Sequence, residues 1–311
     1  MSAEARHRAY ALFGQVFVHG LTDAVRETLT VLPAVADVLP TPFDADRAAA
    51  AHHEALGRQV FPYESAFRSP EGLLGGDVSA RVREAYRTGG FAPDTASLEA
   101  DHVGLQLAYL AHLSRAEAEA ESDARGDVVE RVRGLQAGFL DRHALRWWPS
   151  LAVALQTQAE CAWIARVGTL AVELAAGHRV GLDVAAEPVE EPESAPLDLD
   201  DPETRLRDIV GYLVSPARCG MFLSLHGMGR VAKAVDLPSG FGTRVKVLES
   251  LWHTAVDHQG VGPLCEALGV EVTSTRERLR ALGGLGLDVS VPERRLHRTH
   301  AALERVGRGS T

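Results

Sequence analysis

Residues 101–110 read DHVGLQLAYL, and residues 139–149 read FLDRHALRWWP. The first stretch opens with an Asp-His pair and continues as a strongly apolar run in which leucines surround Tyr109. A helix that is apolar on most of its faces has to be buried in a larger core. The second stretch places an aromatic, a histidine and another aromatic at intervals of four residues, as a helix requires. Together the two stretches predict buried helices of one all-α core.

The composition of the whole chain favours the same fold class. The protein has 311 residues, of which 46% are hydrophobic but only 6% are aromatic, so Ala and Leu supply most of the apolar set. Ala and Leu lose little side-chain entropy in a helix. This length suffices for one large domain or two modest ones. We therefore predict a mainly or wholly helical chain with a sizeable core.

The net charge of −10 comes almost entirely from one segment of the chain. Residues 183–203 contain nine acidic side chains and no Lys or Arg, which leaves the remainder nearly neutral. Binding to nucleic acid relies on clustered basic residues that release counterions from phosphates. The sequence has no such cluster, and nucleic acid is not an expected partner.

The cysteines, the N-terminal residues and the length of the apolar runs indicate in which cellular compartment the protein is expected. Cys161, Cys219 and Cys265 are widely separated and form no CxxC pair, so the sequence predicts reduced thiols, with neither a disulfide framework nor a zinc site. The first residues enter an amphipathic helix without the pattern of a secretory signal. No apolar run is long enough to cross a bilayer. We expect a cytoplasmic protein without membrane insertion.

Periodicity and breakers divide the chain into three parts. Apolar residues dominate 150–176 on nearly every side, which predicts one long central helix, and residues 182–204 combine four prolines with the acidic run. Residues 182–204 have too few apolar side chains to bury, so burial cannot offset the conformational entropy that ordering would cost. The expected division is a helical domain over 1–178, an acidic Pro-rich linker over 179–204 and a smaller helical region over 205–311.

The Asp101–His102 pair allows two interpretations. A histidine beside a carboxylate could act as a base or bind a polar ligand. Neighbouring residues on a helix point about 100° apart, however, and an Asp near a helix start more often caps exposed amides. A structural or peptide-docking role is therefore favoured over catalysis.

Two further patterns stay open at the level of sequence. His143, Trp147 and Trp148 fit either a groove for an apolar peptide, because indoles contribute large contact areas, or an ordinary aromatic core. Residues 228–252 could pass for a helix-turn-helix, but the loop over 236–242 is too long for that motif, and a helical hairpin is the simpler interpretation. The remaining histidines lack partners at metal-ligand spacing.

At these motifs the chain resembles the TorD-like family of redox-enzyme maturation chaperones, which includes TorD, DmsD and NarJ. The resemblance covers about residues 4–176. It rests on three stretches in the family's order and spacing: a Pro-containing segment at 62–67, the Asp-His helix at 101–110 and the F-x-x-x-H-x-x-x-W pattern at 139–147. Gln106 stands where the family usually carries Glu.

The resemblance implies a non-catalytic, all-helical protein without a cofactor of its own, as a monomer or homodimer. Its implied partners are an apo-molybdoenzyme catalytic subunit and the twin-arginine leader peptide of that subunit. By similarity, the residues that line or support the peptide groove are Asp101, His102, Gln106, Tyr109, His143 and Trp147. The supporting motif residues are Pro62, Ser65, Phe67, Leu107, Leu110 and Phe139.

Two other classes of function were weighed against the chaperone. An all-helical regulatory protein could contact DNA or a partner through its second domain, although the missing basic cluster counts against DNA. An Asp-His hydrolase would need a nucleophile near His102, and no sequence feature supplies one.

Overall fold

A computed structural model describes residues 1–93, 97–157, 161–185 and 194–309. These described residues form helices and connecting loops and contain no β-strand, and the one β-type pairing among them is an isolated bridge between Tyr63 and His102. The all-α prediction is confirmed. Within the described residues, no helix is both long enough and apolar enough to cross a membrane.

The chain forms two compact units. Unit 1 consists of Met1–Ser65 and Leu73–Glu191, and unit 2 consists of Ala66–Gly72 and Pro192–Thr311. A short piece from the first part of the sequence therefore belongs to the second unit. Of the predicted linker over 179–204, residues 186–193 lie outside the described residues.

Unit 1 is an assembly of helices in which α7 takes the central place. Two π-helical turns, Glu54–Gln59 and Leu140–Ala144, follow α4 and α8. The fifth helix continues across the boundary into unit 2. The helices are α1 (Ala3–His19), α2 (Asp23–Thr30), α3 (Pro33–Ala36), α4 (Ala45–His53), α5 (Glu64–Arg68), α6 (Gly76–Thr88), α7 (Val103–Ser122), α8 (Gly126–Phe139), α9 (Leu145–Leu155) and α10 (Ala162–Gly181).

Helix α7 packs against α1 and α8, which explains why its sequence is apolar almost all round. The contact with α1 is close because glycines face each other. A Cβ on Gly14 would lie 3.1 Å from the Gly104 carbonyl oxygen, and a Cβ on Gly104 would lie 2.5 Å from a Val18 methyl carbon. The two glycines allow the backbones of α1 and α7 to approach each other.

A chain of buried polar groups ties four helices of unit 1 together. Tyr10 and His178 bond at 3.0 Å between Oη and Nδ1, and His178 Nε2 lies 3.1 Å from Gln136 Oε1. Gln136 Nε2 in turn donates to Glu117, which also accepts from Arg6 and Arg133. Burial lowers the pKa of His178 to about 3, so this imidazole is neutral.

Unit 2 is built from shorter helices around a long antiparallel pair. Helices α15 and α16 pack along each other, and α13 and α14 close one side of α15. The predicted helical hairpin over 228–252 corresponds to α13 and α14, which contact each other. The helices are α11 (Leu206–Leu213), α12 (Pro216–Cys219), α13 (Leu225–Ala234), α14 (Arg244–Asp257), α15 (Val261–Gly283) and α16 (Ser290–Arg308).

The segment 66–72 contributes side chains to the interior of unit 2. The ring of Phe67 stacks on Phe222 with centroids 5.2 Å apart, and Ser215 Oγ donates to the Pro70 carbonyl at 3.1 Å. Arg244 lies over the other ring of this pair, Phe222, at 4.1 Å and donates to two backbone carbonyls. Burial lowers the pKa of Arg244 to about 10.

Several helix bounds differ from those that the sequence predicts. In place of the expected helix over 150–176 there are two helices, α9 and α10. Residues 156–157 form a turn after α9, and residues 158–160 lie outside the described part of the chain. The short helices expected at 262–268 and 273–282 are one helix, α15, because Gly269 and Val272 in the expected gap are buried against the rest of unit 2. Tertiary packing overrides local propensity in this helix.

Candidate functional site

The motif segments at 62–65 and 101–103 lie side by side in antiparallel orientation. Val103 N donates to the Pro62 carbonyl at 2.9 Å, and Glu64 N donates to the Asp101 carbonyl at 3.0 Å. The Pro-containing segment is extended here because proline disfavours a helical residue before it. The pairing brings two stretches that are about forty residues apart in sequence to the start of α7.

Asp101 is fully buried and serves the backbone of the neighbouring segment. Its Oδ2 accepts a hydrogen bond of 2.8 Å from Ser65 N, and Ser65 Oγ accepts one of 2.9 Å from Gly75 N. Burial raises the pKa of the Asp101 carboxyl, partly offset by the hydrogen bonds from Ser65. The sequence suggests that Asp101 caps the helix, but its carboxylate instead fixes the turn at Ser65.

His102 is the residue that caps α7. Its Nδ1 accepts a hydrogen bond of 3.1 Å from Gly104 N, and its ring meets the edge of Tyr63 at 4.9 Å between centroids. Burial lowers the pKa of His102 to about 3, and the imidazole is therefore neutral, as an acceptor at Nδ1 has to be. Asp101 and His102 do not form an acid/base pair, since each bonds to a different part of the backbone.

A buried hydrogen-bond network connects α5, α7, the second π-helical turn and α9 through Gln106. Gln106 Nε2 donates to Glu64 Oε2 at 2.6 Å, and Gln106 Oε1 accepts from Trp147 Nε1 at 3.0 Å and from Trp148 Nε1 at 2.8 Å. His143 Nδ1 lies 3.1 Å from both Glu64 oxygens. Gln106 and Glu64 are completely buried, and Trp147 and Trp148 are nearly so.

The donors and acceptors of this network fix the orientation of the Gln106 amide. An indole N–H can only donate, so both tryptophans have to face the amide oxygen, and the amide nitrogen then faces the carboxylate. A glutamate at position 106 could not donate to Glu64. The amide in place of the family's usual Glu thus fits the presence of Glu64 in this chain.

Glu64 belongs to the network, although the sequence does not single it out, and so does Trp148, for which the sequence left a groove and an aromatic core open. Glu64 occurs within the Pro-containing motif, and a signal for its role was available, because a carboxylate in a segment that must be buried requires a donor. Trp148 was indistinguishable from a core aromatic by spacing alone.

Tyr109 belongs to an aromatic cluster beside this network. Its ring contacts Tyr86, Phe91 and Phe139, with centroids 4.8 to 5.6 Å apart, and its hydroxyl donates to the Ala85 carbonyl at 2.9 Å. Burial raises the pKa of Tyr109 to about 12. The ring is therefore neutral and largely apolar, and only 1% of the residue is exposed.

A cleft of about 470 Å³ opens beside this cluster. Tyr109, Phe139 and His143 line its inner part, and residues of α6 and α8, among them Thr88 and Gly134, line its sides. Val184 and Ala185, which follow α10, also line it. The cleft is the place where the predicted site residues come nearest to an open space.

The other predicted residues lie behind the cleft rather than in it. Asp101, His102, Gln106 and Trp147 are at most 4% exposed and do not line the cleft. They hold the start of α7 and the π-helical turn that carries His143. A role of these four in direct peptide contact stays a prediction, and in this conformation their polar atoms bond to the chain itself.

The supporting motif residues are divided between the two units. Pro62 and Ser65 form the paired segment, and Leu107 and Leu110 are completely buried on α7. Phe67, in contrast, is a core residue of unit 2, where it packs on Phe222. Among the described residues, no group of three or more His, Cys, Asp and Glu side chains could hold a metal ion.

Comparison with known proteins gives one match. Residues 20–153 match the family model described as "Nitrate reductase delta subunit". This segment, less than half of the chain, is similar to the nitrate reductase delta subunit family. The family consists of redox-enzyme maturation chaperones of the NarJ and TorD type, which confirms the resemblance noted from the motifs. No curated protein and no solved structure matches the chain.

The matched segment contains most of the candidate site. It includes the paired segments, Gln106 with its network, and the lining of the cleft except Val184 and Ala185. The match ends before α10 and leaves the helices of unit 2 outside.

Proposed function

We propose that this chain is a cytoplasmic, non-catalytic chaperone that binds the catalytic subunit of a nitrate-reductase-type molybdoenzyme before its cofactor is inserted. The observation that carries this proposal is the family match over residues 20–153, because the family as a whole assists the maturation of such enzymes. The client's twin-arginine leader peptide is a second partner on this proposal.

The cleft beside Tyr109 is the proposed contact for an apolar part of the client. Its inner part presents the aromatic rings of Tyr109 and Phe139 and the ring of His143, while charged side chains such as Arg81, Glu84 and Asp141 surround it. An apolar floor with a polar rim is typical of peptide-binding grooves. The buried network around Gln106 would support this floor from behind.

A pull-down of the tagged full-length chain from its host, followed by mass spectrometry, tests the proposal. We expect the precursor of a molybdoenzyme catalytic subunit among the bound polypeptides. Recovery of no oxidoreductase from cells that express one would contradict the proposal.

A glycine pair in the chain allows a matched test of the cleft. Gly134 lines the cleft and Gly177 does not, yet both are helical and exposed, and a Cβ on either would meet no atom within 4 Å. Gly134→Trp should therefore fill the cleft without disturbing the core. We expect it to reduce client recovery by about tenfold, whereas Gly177→Trp should leave recovery unchanged. Equal recovery by both variants would exclude the cleft as the contact.

A further inference from the structure

A second groove lies in unit 2, outside the matched segment. It has a volume of about 920 Å³ and runs between α15 and α16, from Gly262 to Glu277 on α15. At 1.5 Å per residue this length is about 22 Å, or roughly four helical turns. A small-molecule site is usually an enclosed pocket, whereas a groove between two antiparallel helices that lie side by side suits an elongated partner.

The floor of the groove is apolar. Cys265 and Leu303 are buried in it, and Val270 is 67% exposed at its edge. The glycines on the floor serve the contact between α15 and α16, because a Cβ on Gly307 would lie 3.3 Å from the Cys265 Cβ and a Cβ on Gly269 would lie 3.5 Å from the His300 ring. Leu303 and Val270 therefore supply the apolar surface that a partner could contact.

The rim of the groove carries unbalanced negative charge. Glu266 and Glu277 are exposed and form no ion pair among the described residues, while Glu304 is shared by Arg308 at 3.0 Å and His300 at 3.4 Å. His300 Nδ1 is a buried polar atom that lacks a hydrogen-bond partner in the described part of the chain. Both unpaired carboxylates lie on α15, and an apolar floor beside them is complementary to an apolar stripe with cations along one edge.

We propose that this groove binds a cationic amphipathic helix of another polypeptide. The apolar stripe of that helix would lie on Leu303 and Val270, and its Lys or Arg residues would pair with Glu266 and Glu277. The site is independent of the cleft in unit 1, and it gives the helices beyond the family match a binding role of their own.

The test measures binding of two synthetic helical peptides of about four turns to the full-length chain by fluorescence anisotropy. One peptide carries Leu on one face and Lys on the other, and its twin carries Glu in place of Lys. We expect the Lys peptide to bind and the Glu peptide not to bind. The double variant Glu266→Lys, Glu277→Lys should weaken binding of the Lys peptide roughly tenfold and allow the Glu peptide to bind.

A second charge-reversed variant separates the groove from the overall charge. Glu130→Lys, Asp257→Lys changes the net charge equally at exposed positions outside the groove. We expect this control to bind the Lys peptide within about twofold of the unchanged chain. Equal weakening in both double variants, or binding of neither peptide, would overturn the proposal.

The oligomeric state shows whether a second copy of the chain covers the groove. If sedimentation shows a dimer that Glu266→Lys, Glu277→Lys converts to a monomer, a second copy of the chain covers the groove, and the proposal is wrong. A sedimentation coefficient that is the same for the double variant and the unchanged chain agrees with the proposal. Circular dichroism of each variant establishes that the helices are intact.

Discussion

Gln106 bonds to three side chains because its amide can donate and accept at the same time. Two indole N–H groups bond to its oxygen, and its nitrogen bonds to the buried Glu64 carboxylate. A buried polar group without a partner costs about 1–3 kcal/mol, and a buried charge costs more. Gln106 therefore supplies one of the buried partners of the Glu64 carboxylate, and His143 supplies another.

Gln106→Glu should destabilise unit 1 by about 2–4 kcal/mol at neutral pH, because it places a second carboxylate 2.6 Å from Glu64 and removes a donor. Urea unfolding followed by tryptophan fluorescence measures this loss. The loss should shrink in acid, where one of the two carboxyls takes up a proton. Gln156→Glu, at an exposed position, is the control and should be nearly neutral. Equal stabilities of the two variants would contradict the network.

The neutral imidazole of His102 makes the stability of unit 1 depend on pH. The pKa of His102 is about 3 in the folded chain and about 6.5 in the unfolded chain. Below pH 6.5 the unfolded chain therefore binds the proton that the folded chain excludes. The contribution is complete above pH 6.5 and is lost as the pH falls toward 3. The lowered pKa of His178 gives a pH dependence of stability with the same sign over the same pH range.

His102→Asn tests this dependence without removing the cap of α7, because an Asn side chain also accepts from the backbone at an N-cap. The free energy of unfolding of the unchanged chain should fall between pH 7.5 and pH 5. In the variant, that fall should be smaller by about 2 kcal/mol, since one titrating group is gone. Urea titrations at the two pH values measure it. Parallel pH profiles for the two proteins would show that His102 does not exclude the proton.

At the scale of elements, the crossing of α1 and α7 depends on two glycines. Gly104→Ala should cost about 1–3 kcal/mol, because its Cβ would lie 2.5 Å from a Val18 methyl carbon and 3.2 Å from the Gly14 carbonyl oxygen. The same substitution at Gly177, where the added Cβ meets open space, should instead stabilise α10 by about 0.5–1 kcal/mol. Thermal unfolding of the two variants measures both effects. A stabilised Gly104→Ala variant would contradict the close packing of these helices.

The elements were predicted to different extents for physical reasons. Helix α7 is apolar on nearly all sides, so its type and burial follow from sequence alone. The start of α7 was less certain because Asp101 and His102 are both plausible caps, and the choice depends on Ser65, which comes close only in the folded chain. The end of α9 was missed although the sequence carried a signal for it, because residues 156–160 read QTQAE and interrupt the apolar run after Leu155.

At the scale of the whole molecule, the segment 66–72 belongs to unit 2 although unit 1 surrounds it in sequence. Phe67→Ala should therefore destabilise unit 2, where it removes the ring that packs on Phe222, by about 3–5 kcal/mol. Amide hydrogen exchange should show lost protection in α11–α14 rather than in α7. Phe139→Ala, in the aromatic cluster of Tyr109, should give the reverse pattern. Lost protection in α7 alone after Phe67→Ala would assign the segment to unit 1.

The sequence by itself determined the fold class, the order of the motifs and the resemblance to a family over residues 20–153, because these depend on composition, helical periodicity and spacing along the chain. It also identified the residues around which the interior of unit 1 is built. Only the tertiary structure decided what those residues contact. Glu64 meets Gln106 and His143, Phe67 meets Phe222, and the cleft opens at Tyr109, because residues far apart in sequence are brought together only when the helices pack.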